Sequence, residues 1–312
     1  MMNIISTIYQ FVLMLLVAPL AAGTVKFLKA RFQGRKGASP LLQYYTILTL
    51  LKKELVISKS TSWVFRLAPF IVFGSILFLI LVLPLVTVAG ALGEYSNFII
   101  VAGVLMLGAI FLVFGGLESA SAFGGMGAAR EMTLAALVEP TMILVFGALA
   151  ISSGNSDISK MVLNINIGSQ PFIILSLISL ALLALTENAR YPVDNPATHL
   201  ELTMVHEAMI LEYSGPLLAL MEYASFLKLS LFSVLFVNVI LPVGVLGATA
   251  GVMDFVLAPV WLVLKIVIMM FLLAFLESSI VKMRFYRAHE FLTVAFFLAL
   301  GGIVLTLVNT LI

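Results

Sequence analysis

Residues 63–89 read WVFRLAPFIVFGSILFLILVLPLVTVA, with Arg66 as the single charge. A helix needs roughly 20 apolar residues to cross a hydrocarbon core of about 30 Å, so this stretch reads as a membrane span. Moving outward in both directions, similar runs recur at 4–28, 96–117, 131–151, 169–187, 213–241, 255–280 and 290–311. The composition agrees: 62% of the 312 residues are hydrophobic and 10% are charged, against about 25% charged in a soluble domain. The predicted fold class is an all-α polytopic membrane protein. It has about eight transmembrane helices in a single membrane domain over 1–312, plus an amphipathic cytoplasmic helix after the first span.

The chain contains no cysteine, so it has no disulfide framework and no thiolate for an iron–sulfur cluster or a nickel–iron centre. If it takes part in redox chemistry, another subunit holds the metal. No Lys or Arg precedes Lys26, which argues against a cleaved signal peptide. Basic residues in the loops set the orientation. Placing 26–62 in the cytoplasm puts fourteen Lys and Arg on that side and only Lys160 on the other. Both termini are then outside.

Two cytoplasmic segments are longer than turns. In 38–58, ASPLLQYYTILTLLKKELVIS, Leu41, Tyr44, Leu48 and Leu51 recur at helical spacing, as in a helix lying along the interface or against a partner. The other, 187–215, reads ENARYPVDNPATHLELTMVHEAMILEYSG and collects Glu187, Asp194, Glu201, Glu207 and Glu212 with Arg190, His199 and His206. Asn195 followed by Pro196 reads as a helix start. On a helix from there, Glu201 and Glu212 lie within about 20° of each other. His199 and His206 would stand about 10.5 Å apart, too far for one ion, so no metal site is predicted. Acids this dense beside a membrane suit a hydrated cavity or a proton path.

Other ionisable groups lie within spans: Glu139, Glu222, Lys228, Lys265 and Glu277. Such groups are costly and face a polar interior. Glu222 with Lys265 could form a structural pair. Glu139, followed by Pro140 and with no basic residue in its own span, reads as a proton carrier. The connection 116–131, GLESASAFGGMGAARE, carries Glu118, Arg130 and Glu131 among glycines that let backbones approach; no phosphate-loop lysine follows.

These residues carry a resemblance. Glu187, Arg190, Pro192 and Asp194, followed by EYSG at 212–215, resemble the signature of respiratory complex I subunit 1. The likeness extends through RFQGRKGASPLLQYYTILTLLKKE (31–54) and LVEP (137–140). The short form of the first loop, GAARE (127–131) and NPATHLELTMVHE (195–207) are more similar to the membrane subunit of group 4 energy-converting [NiFe] hydrogenases, of the formate hydrogenlyase and hydrogenase-4 type.

The resemblance implies a membrane anchor on which hydrogenase-like large and small subunits dock from the cytoplasm, joined to antiporter-like membrane subunits that move protons or sodium ions. It implies that this chain binds no cofactor, and that nickel–iron and iron–sulfur centres sit in the partners. The proton pathway would comprise Glu118, Glu131, Glu139, Glu187, Asp194, Glu201, Glu207, Glu212, Glu222, Lys228, Lys265 and Glu277. Arg35, Lys36, Arg130, Arg190, His199 and His206 would face the docked partner. Another reading is the quinone-site subunit of a complex I-like dehydrogenase, although the shortened first loop counts against quinone. An independent transporter would show matching halves, and no internal repeat is seen. A prokaryotic inner membrane is the expected location.

Overall fold

Backbone polar groups in a bilayer have no water to bond, so the apolar runs must satisfy them internally as helices. A computed structural model describes residues 2–58, 61–88, 90–165, 171–194, 204–247, 251–280 and 285–311. Among these residues there are eleven α-helices: α1 (Met2–Phe32), α2 (Leu42–Lys52), α3 (Trp63–Val82), α4 (Phe98–Glu118), α5 (Ala122–Ser153), α6 (Ile158–Asn164), α7 (Ile173–Glu187), α8 (His206–Ile210), α9 (Gly215–Ile240), α10 (Val252–Ser279) and α11 (Phe285–Leu311). The protein is an all-α polytopic membrane protein. All eight expected spans are helices, and seven of them are long and apolar enough to cross a bilayer. The eighth, α7, has fifteen residues, or about 22 Å.

The C-terminal ends of α1, α4, α7 and α10 lie at one end of the bundle with the N-terminal ends of α3, α5 and α9. There Lys29 of α1 meets Glu277 of α10, and Glu118 of α4 accepts from the backbone N–H of Ser62, just before α3. At the opposite end, Thr87 bridges to Leu246 and Asn97 to Asp157. The main core joins Met14 and Ala18 of α1, Leu79 of α3, Phe146 of α5, Leu180 of α7 and Leu227 of α9. A smaller cluster, with Phe65, Met209 and Tyr213, closes the acid-bearing end. Phe65 and Tyr213 stack at 4.1 Å there.

The structure corrects several expected boundaries. The second span stops at Val82 rather than at 89. Pro84 disfavours helical geometry at Leu83 and cannot donate, and Leu83 is extended. Gln10 of α1 takes over the freed groups, donating to the Ile80 and Leu83 carbonyls and accepting from the Val86 and Thr87 N–H groups. The segment 116–131 is mostly helix: only residues 119–121 separate α4 from α5. Its glycines serve contact. A Cβ on Gly124 would come 2.5 Å from the Gly116 carbonyl oxygen, and one on Gly127 would come 2.9 Å from Ala208.

Within 38–58, α2 forms over eleven residues, and the leucines at helical spacing lie on its outer face. Gln43 and Leu50 are buried, whereas Leu41, Leu48 and Leu51 are about half exposed.

Candidate functional site: a charged cavity at the acid-bearing end

The shortness of α7 builds the site. Its last residue, Glu187, forms an ion pair with Lys228, which lies about 20 Å along α9 from Gly215. The chain after Glu187 continues over 188–194 as irregular, largely covered backbone. Such backbone is tolerated at depth where it lines a cavity or is buried in protein. Ala189 takes positive φ, and Arg190 closes the turn, its N–H donating to the Leu185 carbonyl and its own carbonyl accepting from Val193 and Asp194.

Asp194 is 2% exposed, and its Oδ2 accepts from the Val205 and His206 N–H groups, each at 3.3 Å. It thus caps α8 from twelve residues away. This contact overturns the expected single helix from Asn195 to Glu212. Met204 and Val205 are not helical, α8 covers only His206–Ile210, and Glu212 lies in the exposed turn beyond it. Glu201 and His199 fall outside the described residues. Arg130 supports the same corner, donating to the Met204 carbonyl at 2.9 Å.

Between α1, α2, α3, α4, α5, α7, α8 and α9 lies a cavity of about 340 Å³. Five carboxylates line it, Glu131, Glu187, Asp194, Glu207 and Glu222, against Lys26, Arg190 and Lys228 as cations. The opposite wall is apolar, with Val72, Ile76, Leu105 and Leu112. Fully ionised, the lining would carry excess negative charge in a largely covered space, a state that binding protons relieves.

Electrostatics at the cavity agree. Burial, reinforced by Glu222 and Asp194, pushes the Glu207 carboxyl up to about 7, against the pull of Lys26 and Arg190. Burial, with the Lys228 charge, lowers the His206 imidazole to about 4, although Asp194 opposes this. His206 is therefore neutral near pH 7, while Glu207 exchanges its proton there.

A second, water-sized crevice of about 30 Å³ adjoins the cavity between α4, α5 and α7. Glu131 and Glu187 line both spaces, and Glu139 lies in the crevice. A space of that size holds about one water. The crevice beside Glu139 and the cavity thus share these two carboxylates as lining.

The family follows from comparison with known proteins. The family model described as NADH dehydrogenase matches residues 4–308. The chain belongs to the NADH dehydrogenase family. Among the relatives of this family member, formate hydrogenlyase subunit 4 of Escherichia coli K12 is 30% identical over 287 residues, covering 91% of this chain and 92% of that protein. Hydrogenase-4 component C of the same organism is 30% identical over 298 residues, covering 95% and 93%. A solved structure of the membrane-bound sulfane sulfur reductase, an archaeal respiratory membrane complex, contains a chain of the same fold. It matches with a TM-score of 0.81 at 16% identity, over 96% of this chain and 99% of that one.

Not every expected site residue reaches the cavity of this family member. Glu131, Glu187, Asp194, Glu207, Glu222, Lys228, Arg190 and His206 line it. Glu118 and Glu212 lie elsewhere at the same end, and Arg35 and Lys36 are exposed on the loop after α1. Glu277 is paired with Lys29 at 2.9 Å and Arg190 at 3.3 Å. Lys265 does not pair with Glu222: its Nζ donates to Asn238 Oδ1 at 2.6 Å, and Asn238 in turn donates to the Pro84 and Leu85 carbonyls.

Sequence reading missed Lys26 in the cavity lining and Lys29 on Glu277, because both were counted only as loop charges. Their spacing of three residues on one helix face was the available signal.

Proposed function

We propose that this chain is the membrane anchor and coupling subunit of a redox-driven ion pump, a non-catalytic part of a respiratory-type oxidoreductase complex. A hydrogenase-like large and small subunit dock at the acid-bearing, cytoplasmic end, and antiporter-like subunits adjoin it in the membrane. The observation that carries this reading is the cavity itself: five carboxylates gathered against three cations, with burial pushing one of them, Glu207, up to about 7. Electron transfer in the docked arm alters the charge above the cavity. The acids respond by taking up or releasing protons through Glu207 and Glu222, then Glu131 and Glu187, to Glu139, and this biases the neighbouring ion-translocating subunits. The kinship with formate hydrogenlyase subunit 4 and hydrogenase-4 component C supports a [NiFe] hydrogenase arm carrying nickel–iron and iron–sulfur centres. Both termini then lie outside a prokaryotic inner membrane.

The apolar wall of Val72, Ile76, Leu105 and Leu112 favours a second reading, in which a quinone head enters the cavity of a complex I-like dehydrogenase. Purifying the intact complex in detergent and assaying its subunits, nickel, iron and quinone separates the two. Nickel without quinone is expected; quinone without nickel supports the second reading.

A further inference from the structure

Glu277 lies outside the cavity, yet both of its carboxylate oxygens are paired with cations. Its side chain is 1% exposed, and each carboxylate oxygen holds one cation: Oε2 accepts from Lys29 Nζ at 2.9 Å and Oε1 from Arg190 Nη1 at 3.3 Å. Lys29 also stands 4.3 Å from the centre of the Tyr191 ring, next to Arg190 in the chain. The two cations differ in reach. Lys29 comes from α1, while Arg190 also lines the cavity, and its charge bears on Glu207. A guanidinium carries five donors in a fixed fork, and only one contact binds Arg190 to Glu277 among the described residues. The rest of the fork can serve the cavity acids.

We infer that Glu277 is a positioning residue for the cavity: it holds Arg190 at the rim, in competition with Lys29, and so sets how much positive charge reaches Glu207. Glu207 also faces Lys26 from α1, Glu131 from α5, Glu187 and Asp194 from α7 and the turn after it, Glu222 and Lys228 from α9, and His206 on its own helix. Of these partners, Arg190 is the one tied to an anion outside the cavity. Rearrangement at the ends of α1 and α10 would alter Glu277's grip and so change the proton affinity inside, without any new group entering. This inference rests on the cavity being the proton-handling site.

The test uses the assembled complex. Ion uptake per electron is measured against pH, and Glu207 is titrated by infrared difference spectroscopy, with the Glu207→Gln complex identifying its band. Glu277→Gln frees Arg190, and Glu207 should then ionise at a pH lower by about one unit, the scale of a nearby opposite charge. Lys29→Met leaves Glu277 to Arg190 and should move the titration the other way. Glu277→Asp should restore the wild-type profile. In an Arg190→Met background the effect of Glu277→Gln should vanish. An undiminished shift there would mean that Glu277 acts by its own charge, and would overturn the inference, as would shifts of one sign in both single variants. Should Glu277→Gln fail to assemble, Lys29→Met alone and in the Arg190→Met background decides the matter. Coupling that survives Glu207→Gln would defeat the proposed function instead, and the infrared titration would still report on Glu277.

Discussion

Replacing Glu207 with Gln should make the protein more stable at alkaline pH while costing it function. Burial, with Glu222 and Asp194 nearby, raises this carboxyl from 4.5 to about 7. Between those values the folded chain binds more protons than the unfolded chain, so stability falls as pH rises through the interval. At 1.36 kcal/mol per pH unit, the gap corresponds to roughly 3 kcal/mol of destabilisation, fully present above pH 7 and absent below about pH 4.5. Glutamine cannot ionise and escapes it.

His206 works in the opposite sense. Its imidazole falls from 6.5 to about 4, so its penalty develops as pH drops through that range. The two slopes nearly cancel between about pH 4.5 and 6.5, so the wild type should show only a shallow stability maximum near about pH 5.5. The variant should gain stability up to about 6.5 and then level off. Thermal unfolding of the detergent-solubilised protein at pH 5 and pH 8 measures the effect. The melting temperature should rise by several degrees in the variant at pH 8 and change much less at pH 5. An equal difference at both values, or a larger one at pH 5, would refute the assignment of a buried, neutral-pH carboxyl.

Four further outcomes follow from the packing. Asp194→Ala removes a carboxylate that accepts two backbone hydrogen bonds. It should cost about 3 kcal/mol, the low end for two bonds to a charged group; Asp194→Asn, which keeps an acceptor, should recover most of this in the same melting assay. Gly127→Leu must fit where the Ala208 side chain and the Val205 carbonyl stand 2.9 Å from the position a Cβ would take, an overpacking of about 1–3 kcal/mol. Gly125→Ala meets nothing within 4 Å and should be neutral or stabilising, by up to about 1 kcal/mol. Asn238→Leu strands the Lys265 ammonium and two carbonyls and should cost about 3 kcal/mol or more; Lys265→Met, which removes the charge itself, should be milder by thermal unfolding.

Among the described residues, hydropathy alone was enough to find each of the long apolar helices, because a bilayer leaves the backbone no other option. It failed where helices continue past the apolar run. The glycines of 122–131 have little hydropathy, yet they form the first turns of α5, since α8 packs directly against them. The acids of the candidate site were legible as a cluster, but their partners were not. Glu222 and Lys265 looked complementary because both sit in spans; helix rotation and the break at Pro84 instead hand Lys265 to Asn238. The turn at 188–194 escaped because nothing in the spacing reveals that Asp194 caps a helix twelve residues later. Lys26 and Lys29 escaped because a basic residue at the end of a span satisfies an orientation rule before it suggests a site.

Ion uptake measured together with electron transfer, in inverted membrane vesicles containing the assembled complex, tests the proposed role of the cavity most directly. In Glu207→Gln and in Glu139→Gln, electron transfer should continue while uptake per electron collapses. Full uptake in both variants would contradict a coupling path through these carboxylates.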